Sequence, residues 1–161
     1  MLLASTRDSH WQIRYHAVEA VDCIAGSESP KHIEPMLDDG DGAVRSLIHR
    51  ILFQRTGQNC HLQALEKLLA DLSTRARRHA VKALLTIGTP AALMLAARGI
   101  AQHEERETRA EFIELLAESR RPEVYSVFLW LFGALPESDR PLLIATLLRS
   151  RAGAAANPTT G

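Results

Sequence analysis

The apolar residues of the chain recur in a pattern that predicts pairs of helices. The pattern is anchored on arginines spaced 31 or 32 residues apart: Arg14, Arg45, Arg77, Arg109 and Arg140. Apolar residues stand three and seven positions after each arginine, and such steps place side chains on one face of a helix. Further apolar residues nine and twelve positions before the last four arginines predict a preceding helix. Each unit of about 31 residues is therefore predicted to be a helical hairpin.

Glycines and prolines mark the predicted ends of these helices. Three of the arginine-bearing helices should end in glycine, a residue that readily adopts the left-handed conformation closing a helix: Gly26, Gly57 and Gly88. Three of the preceding helices should open with proline, where a missing amide hydrogen costs nothing: Pro30, Pro90 and Pro122.

The hairpins predict an all-α fold, an α-solenoid of about four to five repeats in one array. A single hairpin cannot cover its apolar face, so neighbouring hairpins must stack on each other. The predicted units span residues 1–26, 27–57, 58–88, 89–119 and 120–151, followed by a flexible tail at 152–161. The residues Leu2-Leu3-Ala4 fall where the end of a first helix belongs, so we expect the array to begin half-way through a hairpin.

Aspartates recur six positions before three of the arginines. The segments 39–45, 71–77 and 80–88 resemble the HEAT-repeat family, and most closely the short repeats named after phycobilisome lyases. This resemblance covers roughly residues 8–150 and implies an armadillo-like solenoid in which paired Asp and Arg residues tie adjacent repeats together. The ladder that it implies uses Asp8, Arg14, Asp39, Arg45, Asp71, Arg77 and Arg109. His103 and Ala134 stand where the fourth and fifth units would have the aspartate, which departs from the family pattern.

Composition narrows the functional classes. The chain has 19 basic and 19 acidic residues, and zero net charge argues against general attraction to nucleic acid or to a membrane surface. The longest apolar run, residues 127–135, is far shorter than a membrane helix, and no export signal opens the chain. Cys23 and Cys60 form no CxxC pair, which indicates reduced thiols. These features predict a soluble, cytoplasmic protein that does not bind membranes.

The sequence contains no recognisable catalytic or cofactor motif. It has no nucleophile-elbow pattern and no glycine-rich phosphate loop. His103-Glu104 is the one His-Glu pair of the kind that solenoid di-iron hydroxylases repeat, and one pair cannot build such a site. The acidic segment 38–42 faintly resembles a calcium loop but is better interpreted as a turn with N-cap aspartates. We therefore predict no catalytic residue, no metal and no cofactor.

A candidate groove follows the arginine-bearing helices. Positions one, two and five after each arginine point away from the apolar stripe, and in HEAT-like stacks the second helices commonly line the concave side. The candidate groove residues are Tyr15, His16, Arg50, Arg78, His79, Lys82, Glu111 and Glu114. The charge of such a groove would change along the array, from basic at Arg78 and Lys82 to acidic at Glu111 and Glu114. The alternative interpretation is an ordinary solvent-exposed face.

The C-terminal hairpin carries more apolar residues than one neighbour can cover. Residues 124–135 are apolar nearly all round, and residues 142–148 are also rich in leucine and isoleucine. The candidate contact surface comprises Phe128, Trp130, Phe132, Leu142 and Leu148, with arginines such as Arg121 and Arg149 at its rim. The alternative is a satisfied core in a degenerate final repeat.

The leading functional hypothesis is a protein–protein interaction scaffold or adaptor with no catalytic activity of its own. Its expected partner is another protein or a second copy of the chain. One alternative is an enzyme or chaperone of the bilin-lyase type on the same repeat fold. Another is DNA binding through a basic groove that includes Arg50, Arg75, Arg78 and Lys82, although zero net charge makes nucleic acid the less favoured partner.

Overall fold

The computed structural model describes residues 2–118 and 123–155, and all regular secondary structure in these ranges is helical. The chain divides into two compact units, Met1–Ile87 and Gly88–Gly161. Pro122, Arg121 and most of the predicted flexible tail lie outside the described residues.

The first unit contains six α-helices among its described residues. They are α1 (Leu2–Ser5), α2 (Trp11–Ala25), α3 (Ser29–Ile33), α4 (Gly42–Thr56), α5 (Asn59–Leu69) and α6 (Thr74–Ile87). The arginine-bearing helices pack in chain order, with α2 against α4 and α4 against α6. Helix α5 packs on both α4 and α6, while α3 packs on α2 and α4. The centre of α4 is consequently enclosed on several sides, which explains why Leu47, Ile48, Ile51 and Leu52 are buried.

The second unit contains α7 (Pro90–Gln102), α8 (Arg106–Glu118), α9 (Val124–Ala134) and α10 (Arg140–Ala155). Helix α7 packs against α9, and α8 packs against α10. The two pairs are joined by contacts of α7 with α8 and of α9 with α10. Their core includes Phe112, Ile113 and Leu131, all of which are buried.

The glycines predicted to end helices do so in the structure. Gly26, Gly57 and Gly88 follow α2, α4 and α6, and their φ angles are 54°, 68° and 68°. The amide of Gly57 donates to the carbonyl of Phe53, which satisfies one of the last carbonyls of α4. A side chain at these positions would be strained, so glycine is required by the backbone conformation.

The first helix of the second predicted hairpin is much shorter than the apolar spacing indicated. Helix α3 has five residues and lies between two 3₁₀ turns, Gly26–Glu28 and Glu34–Met36. Pro35 explains the break, because proline lacks an amide hydrogen and its ring clashes with the carbonyl four residues earlier. Ile33 nevertheless reaches the core, as its position in the pattern predicts.

Candidate functional site

The repeated arginines occupy equivalent places in their helices. Arg14, Arg45, Arg77 and Arg109 are each the fourth residue of an α-helix, and Arg140 is the first residue of α10. Each of the first four donates a hydrogen bond from Nη1 to the backbone carbonyl of the residue six positions earlier, at distances of 2.6–2.8 Å. These bonds tie the turn before the helix to its first helical turn.

Three of the arginines also reach an aspartate carboxylate from the following unit of the pattern. Arg14 binds Asp39 through Nε and Nη2 at 2.7 and 2.8 Å. Arg45 donates from Nη2 to Asp71 at 3.3 Å. The side chain of each of these arginines therefore pairs with the carboxylate of the aspartate in the next repeat. With the aspartate six residues before it, in its own repeat, the arginine bonds only to the main-chain carbonyl.

The carboxylate of Asp39 illustrates the balance of forces in these pairs. Burial opposes its ionisation, but the hydrogen bonds from Arg14 and from the amide of Asp41 outweigh burial and hold the pKa of Asp39 below its ordinary value. The carboxylate is therefore charged at neutral pH, and the bidentate pair with Arg14 is of the geometrically specific kind. The Arg14–Asp39 pair therefore contributes to packing and stability rather than to a reaction.

In the compact unit formed by residues 88–161, the carboxylate that pairs with Arg109 comes from a residue outside the sequence pattern. Arg109 binds Asp139 through Nε and Nη2, both at 2.7 Å, and the two side chains are only 9% and 1% exposed. The pattern would have placed an acid at Ala134 instead. Asp139 takes its place because the 3₁₀ turn Glu137–Asp139 precedes α10 and positions this carboxylate beside α8.

Two of the repeated arginines lack such a partner among the described residues. The Nε atoms of Arg77 and Arg140 are buried and have no hydrogen-bond acceptor. Arg77 donates instead to the carbonyls of Asp71 and Leu72 and to the hydroxyl of Thr74. For Arg77 the sequence already indicated this difference, because position 103, where the pattern would place the next aspartate, is histidine.

An aromatic cluster formed by Trp11, Tyr15 and His79 joins helices α2 and α6. The ring of His79 lies 5.3 Å from that of Tyr15 and 6.0 Å from that of Trp11, in edge-on arrangements that aromatic rings favour. All three side chains are partly exposed. Of the predicted groove residues, the structure thus brings Tyr15 and His79 together, and it adds Trp11, which sequence reasoning missed.

Arg75 covers one end of the aromatic cluster. Its guanidinium lies 4.6 Å from the centre of the Trp11 ring and donates to Asp41 at 2.7 Å. Arg75 reaches Trp11 across the start of α4, where Gly42 has no side chain and packs directly on Ala76. Asp41 also caps α4 by accepting from the amide of Ala43.

The remaining predicted groove residues divide between the two units. His16 pairs with Glu19 at 3.0 Å, and the charge of Arg50 acts on Tyr15. Lys82 lies one turn after His79 on α6, where it is exposed, and Arg78 is exposed on the same helix. Glu111 and Glu114 lie on α8 in the second unit, where Glu114 pairs with Arg149 at 2.8 Å.

The ionisation of the aromatic cluster follows from its burial. Partial burial lowers the pKa of His79, and nearby Lys82 and Arg78 lower it further. Burial and the charge of Glu19 raise the pKa of Tyr15. Both groups are therefore uncharged at neutral pH, so the cluster presents neutral aromatic rings within a basic surrounding.

A pair of histidines lies between α4 and α5. The Nδ1 atoms of His49 and His61 are 3.1 Å apart, which requires one ring to donate and the other to accept. Burial, followed by the charge of its neighbour His61, lowers the pKa of His49 to about 4. Protonation of both rings would remove the acceptor, so this pair is a neutral structural contact.

Because the pKa of His49 is lowered in the folded chain, we expect the fold to lose stability in acid. The unfolded chain binds a proton at His49 near its ordinary pKa of 6.5, whereas the folded chain binds it near 4. Unfolding is therefore favoured as the pH falls through this window, by about 2 kcal/mol after allowance for solvent screening. Urea unfolding at several pH values should show this slope, and His49→Gln should flatten it. The exposed His32→Gln variant is the matched control, and equal slopes in all three proteins would contradict the assignment.

The predicted C-terminal contact surface is only partly exposed. Trp130, Phe132 and Leu148 reach solvent, whereas Phe128 is 2% exposed and belongs to the core. Phe128 is buried because α9 packs against α7 on that face, and Leu142 is partly covered. The most exposed apolar side chain of α9 is Leu129, at 76%, which the sequence prediction did not include.

Possible metal ligands and thiols are scattered over the described part of the chain. Within residues 2–118 and 123–155 no three His, Cys, Asp or Glu side chains are placed to hold a metal ion. Cys23 and Cys60 are free and exposed. None of the helices in the described part of the chain is long and apolar enough to cross a membrane.

Comparison with known proteins does not assign the chain to a family. Neither a protein-family model nor a curated protein sequence matches the chain. The function is therefore inferred from the surfaces of the molecule itself.

Proposed function

We propose that the chain is a non-catalytic protein-binding module, an α-solenoid of HEAT-like repeats that binds an acidic segment of another protein. The observation that carries this proposal is the partly exposed aromatic cluster of Trp11, Tyr15 and His79, bordered by cations on α4 and α6. The repeated arginine–aspartate pairs support the repeat assignment, because each pair joins one arginine-bearing helix to the turn of the next unit.

The aromatic cluster has the composition of a binding anchor. Aromatic residues and arginine are enriched at the energetic centres of protein interfaces, where they offer a large contact area at little cost in side-chain entropy. Tyr15 also retains a hydroxyl that can donate to a partner, since its raised pKa keeps it protonated. A neutral, rigid aromatic surface of this kind suits the apolar side chain of a partner segment.

The charges around the cluster indicate an acidic partner. The nearby acids are already engaged, Asp41 with Arg75 and Glu19 with His16. Arg50 contacts only the amide of Gln54, at 3.4 Å, and no carboxylate of the described residues pairs with Lys82. The surface therefore carries unbalanced positive charge, which favours carboxylates near the aromatic anchor.

Charge reversal in the groove tests this proposal. The double variant Arg50→Glu/Lys82→Glu should reduce capture of a partner from an extract of the native host at least tenfold. The control variant Lys67→Glu/Arg98→Glu makes the same change of net charge on exposed residues of α5 and α7 and should retain full capture. Bound proteins would be quantified by mass spectrometry.

Three results would contradict the proposal. The first is capture of the same proteins by both double variants, and the second is capture of nothing above background by the wild-type chain. The third is loss of all capture on nuclease treatment, which would identify nucleic acid as the ligand and would be accompanied by a steep dependence on salt.

A further inference from the structure

The aromatic cluster joins α2 to α6 over the start of α4. Trp11 and Tyr15 stand three positions before and one position after the repeated arginine of α2, and the same two positions of α4 hold Gly42 and Ser46. Both of these residues are small and buried, and the hydroxyl of Ser46 donates to the carbonyl of Gly42. The start of α4 therefore leaves room for the two rings to reach His79 on α6.

A cation stands on each side of His79 along α6. Arg75, His79 and Lys82 are separated by four and three residues, a spacing that places them on one face of the helix. The guanidinium of Arg75 lies over Trp11, and burial and then the charge of Lys82 lower the pKa of His79. Positive charge thus borders the aromatic cluster at both ends of this face.

Arg75 is held in place and still has N–H groups to donate. Its Nη2 donates to Asp41 at 2.7 Å, and the side chain of Asp41 is only 12% exposed. Nε and Nη1 of Arg75 have no acceptor in the described ranges, and the arginine side chain is 49% exposed. Because a guanidinium carries five N–H groups, Arg75 can bind a further carboxylate without leaving Asp41.

The distance between the two cations sets a spacing for the acids of a partner. Arg75 and Lys82 are seven residues apart, which corresponds to a rise of about 10 Å along α6. An extended chain advances about 3.3 Å per residue, so about three residues of a partner that runs along α6 cover this rise. The side chains between the two acids then lie over the exposed parts of the aromatic cluster.

We propose that the aromatic cluster binds an extended protein segment in which two acidic residues stand three positions apart and border an apolar residue. Arg75 binds one carboxylate and Lys82 binds the other, while the apolar side chain packs on Trp11 and Tyr15. Charge complementarity selects this partner, because both ends of the site are cationic and its centre is neutral. The inference rests on the function proposed above and adds the spacing of the acids, which Arg75 sets as an oriented, planar donor.

Two isomeric peptides test this spacing. The spaced peptide, acetyl-Gly-Ser-Asp-Phe-Ser-Asp-Ser-Gly-amide, has its acids three positions apart. The adjacent peptide, acetyl-Gly-Ser-Asp-Asp-Phe-Ser-Ser-Gly-amide, has the same composition with neighbouring acids. Titration into the whole chain would be followed by the NMR signals of the tryptophan indole and arginine side-chain N–H groups. We expect the spaced peptide to bind at least fivefold more tightly than the adjacent peptide, and replacement of both its acids by asparagine should weaken binding at least tenfold.

Two variants and a control assign this preference to α6. Arg75→Gln and Lys82→Gln should each abolish the difference between the two peptides. Lys67→Gln makes the same change of charge on an exposed residue of α5 and should keep the full preference. Lys82 is exposed and pairs with no carboxylate of the described residues, so Lys82→Gln tests the proposal even if Arg75→Gln displaces Trp11.

Equal affinity of the wild-type chain for the two peptides would overturn this inference, and so would binding of neither peptide at millimolar concentration. A preference for the spaced peptide that survives in both Arg75→Gln and Lys82→Gln would overturn it as well. Each of these results leaves the proposed function standing if Arg50→Glu/Lys82→Glu still reduces capture from the extract. Failure of the proposed function is recognised separately, because the wild-type chain would then capture no protein above background.

Discussion

Replacement of Arg109 by alanine is expected to lower the free energy of unfolding of the second unit by about 3–5 kcal/mol. The carboxylate of Asp139 is 1% exposed and would lose the hydrogen bond from Nε of Arg109 and the ion pair with its Nη2. The carbonyls of His103 and Glu104, which Arg109 ties to the start of α8, would lose their donor as well. Burial of a charge without its partner is among the costliest single changes in a folded protein.

Arg106→Ala is the matched control for this substitution. Arg106 binds the same carboxylate at 3.1 Å, but its side chain is 66% exposed, so its removal should cost less than about 1 kcal/mol. Urea unfolding followed by the fluorescence of Trp130, in a Trp11→Phe background, would report on the second unit. Equal losses in the two variants would show that burial does not govern this ion pair.

The arginine spacing made one part of this network predictable and left another part hidden. Arg14, Arg45 and Arg77 recur with a regular spacing, and that regularity predicted equivalent positions at the starts of helices. The sequence offers Arg14 and Arg45 one aspartate six residues before and another about 25 residues after, and spacing alone does not say which carboxylate each binds. The structure separates the two, because the nearer residue contributes its carbonyl and the farther one its side chain. Arg77 has only the aspartate before it, because position 103 is histidine.

Asp139 had no such signal. It lies directly before Arg140, outside the six-residue offset of the other aspartates, and becomes equivalent in function through the 3₁₀ turn before α10. Local chain geometry of this kind depends on a turn that periodicity does not encode. The short length of α3, in contrast, has a cause that is visible in the sequence, because Pro35 ends the helix. The spacing of the apolar residues alone does not show this effect.

The sequence predicted the helix face on which Tyr15 and His79 lie, and it did not predict that the two rings meet. Tyr15 and His79 were identified because they point away from the apolar stripe of their helices. Trp11 was missed because it occupies the first position of α2, where the equivalent residues of α4 and α6 are Gly42 and Thr74. An aromatic residue at one unit only leaves no repeat signal, and its partners become apparent only when α2, α4 and α6 are packed together.

Gly42 is the residue on which the packing beside the aromatic cluster depends, and Gly42→Ala is expected to destabilise the first unit by about 2–3 kcal/mol. A Cβ atom at this position would lie far inside van der Waals contact with the Cβ of Ala76 and 3.3 Å from its Cα. The obstruction is partly backbone, so α4 and α6 must move apart. Arg75 follows Thr74 at the start of α6 and would then lose its position over Trp11.

Gly40→Ala is the control, because a Cβ there meets nothing within 4 Å, and this variant should unfold like the wild type. Removal of the opposing methyl group should recover part of the loss, so Gly42→Ala/Ala76→Gly should be more stable than Gly42→Ala alone. The recovery is incomplete because glycine inside α6 costs about 1 kcal/mol relative to alanine. In a Trp130→Phe background, Trp11 fluorescence reports both the unfolding midpoint and the loss of the Arg75 contact. A Gly42→Ala protein as stable as the Gly40→Ala protein would mean that α4 and α6 separate at little cost, and the close contact would then not hold the aromatic cluster in place.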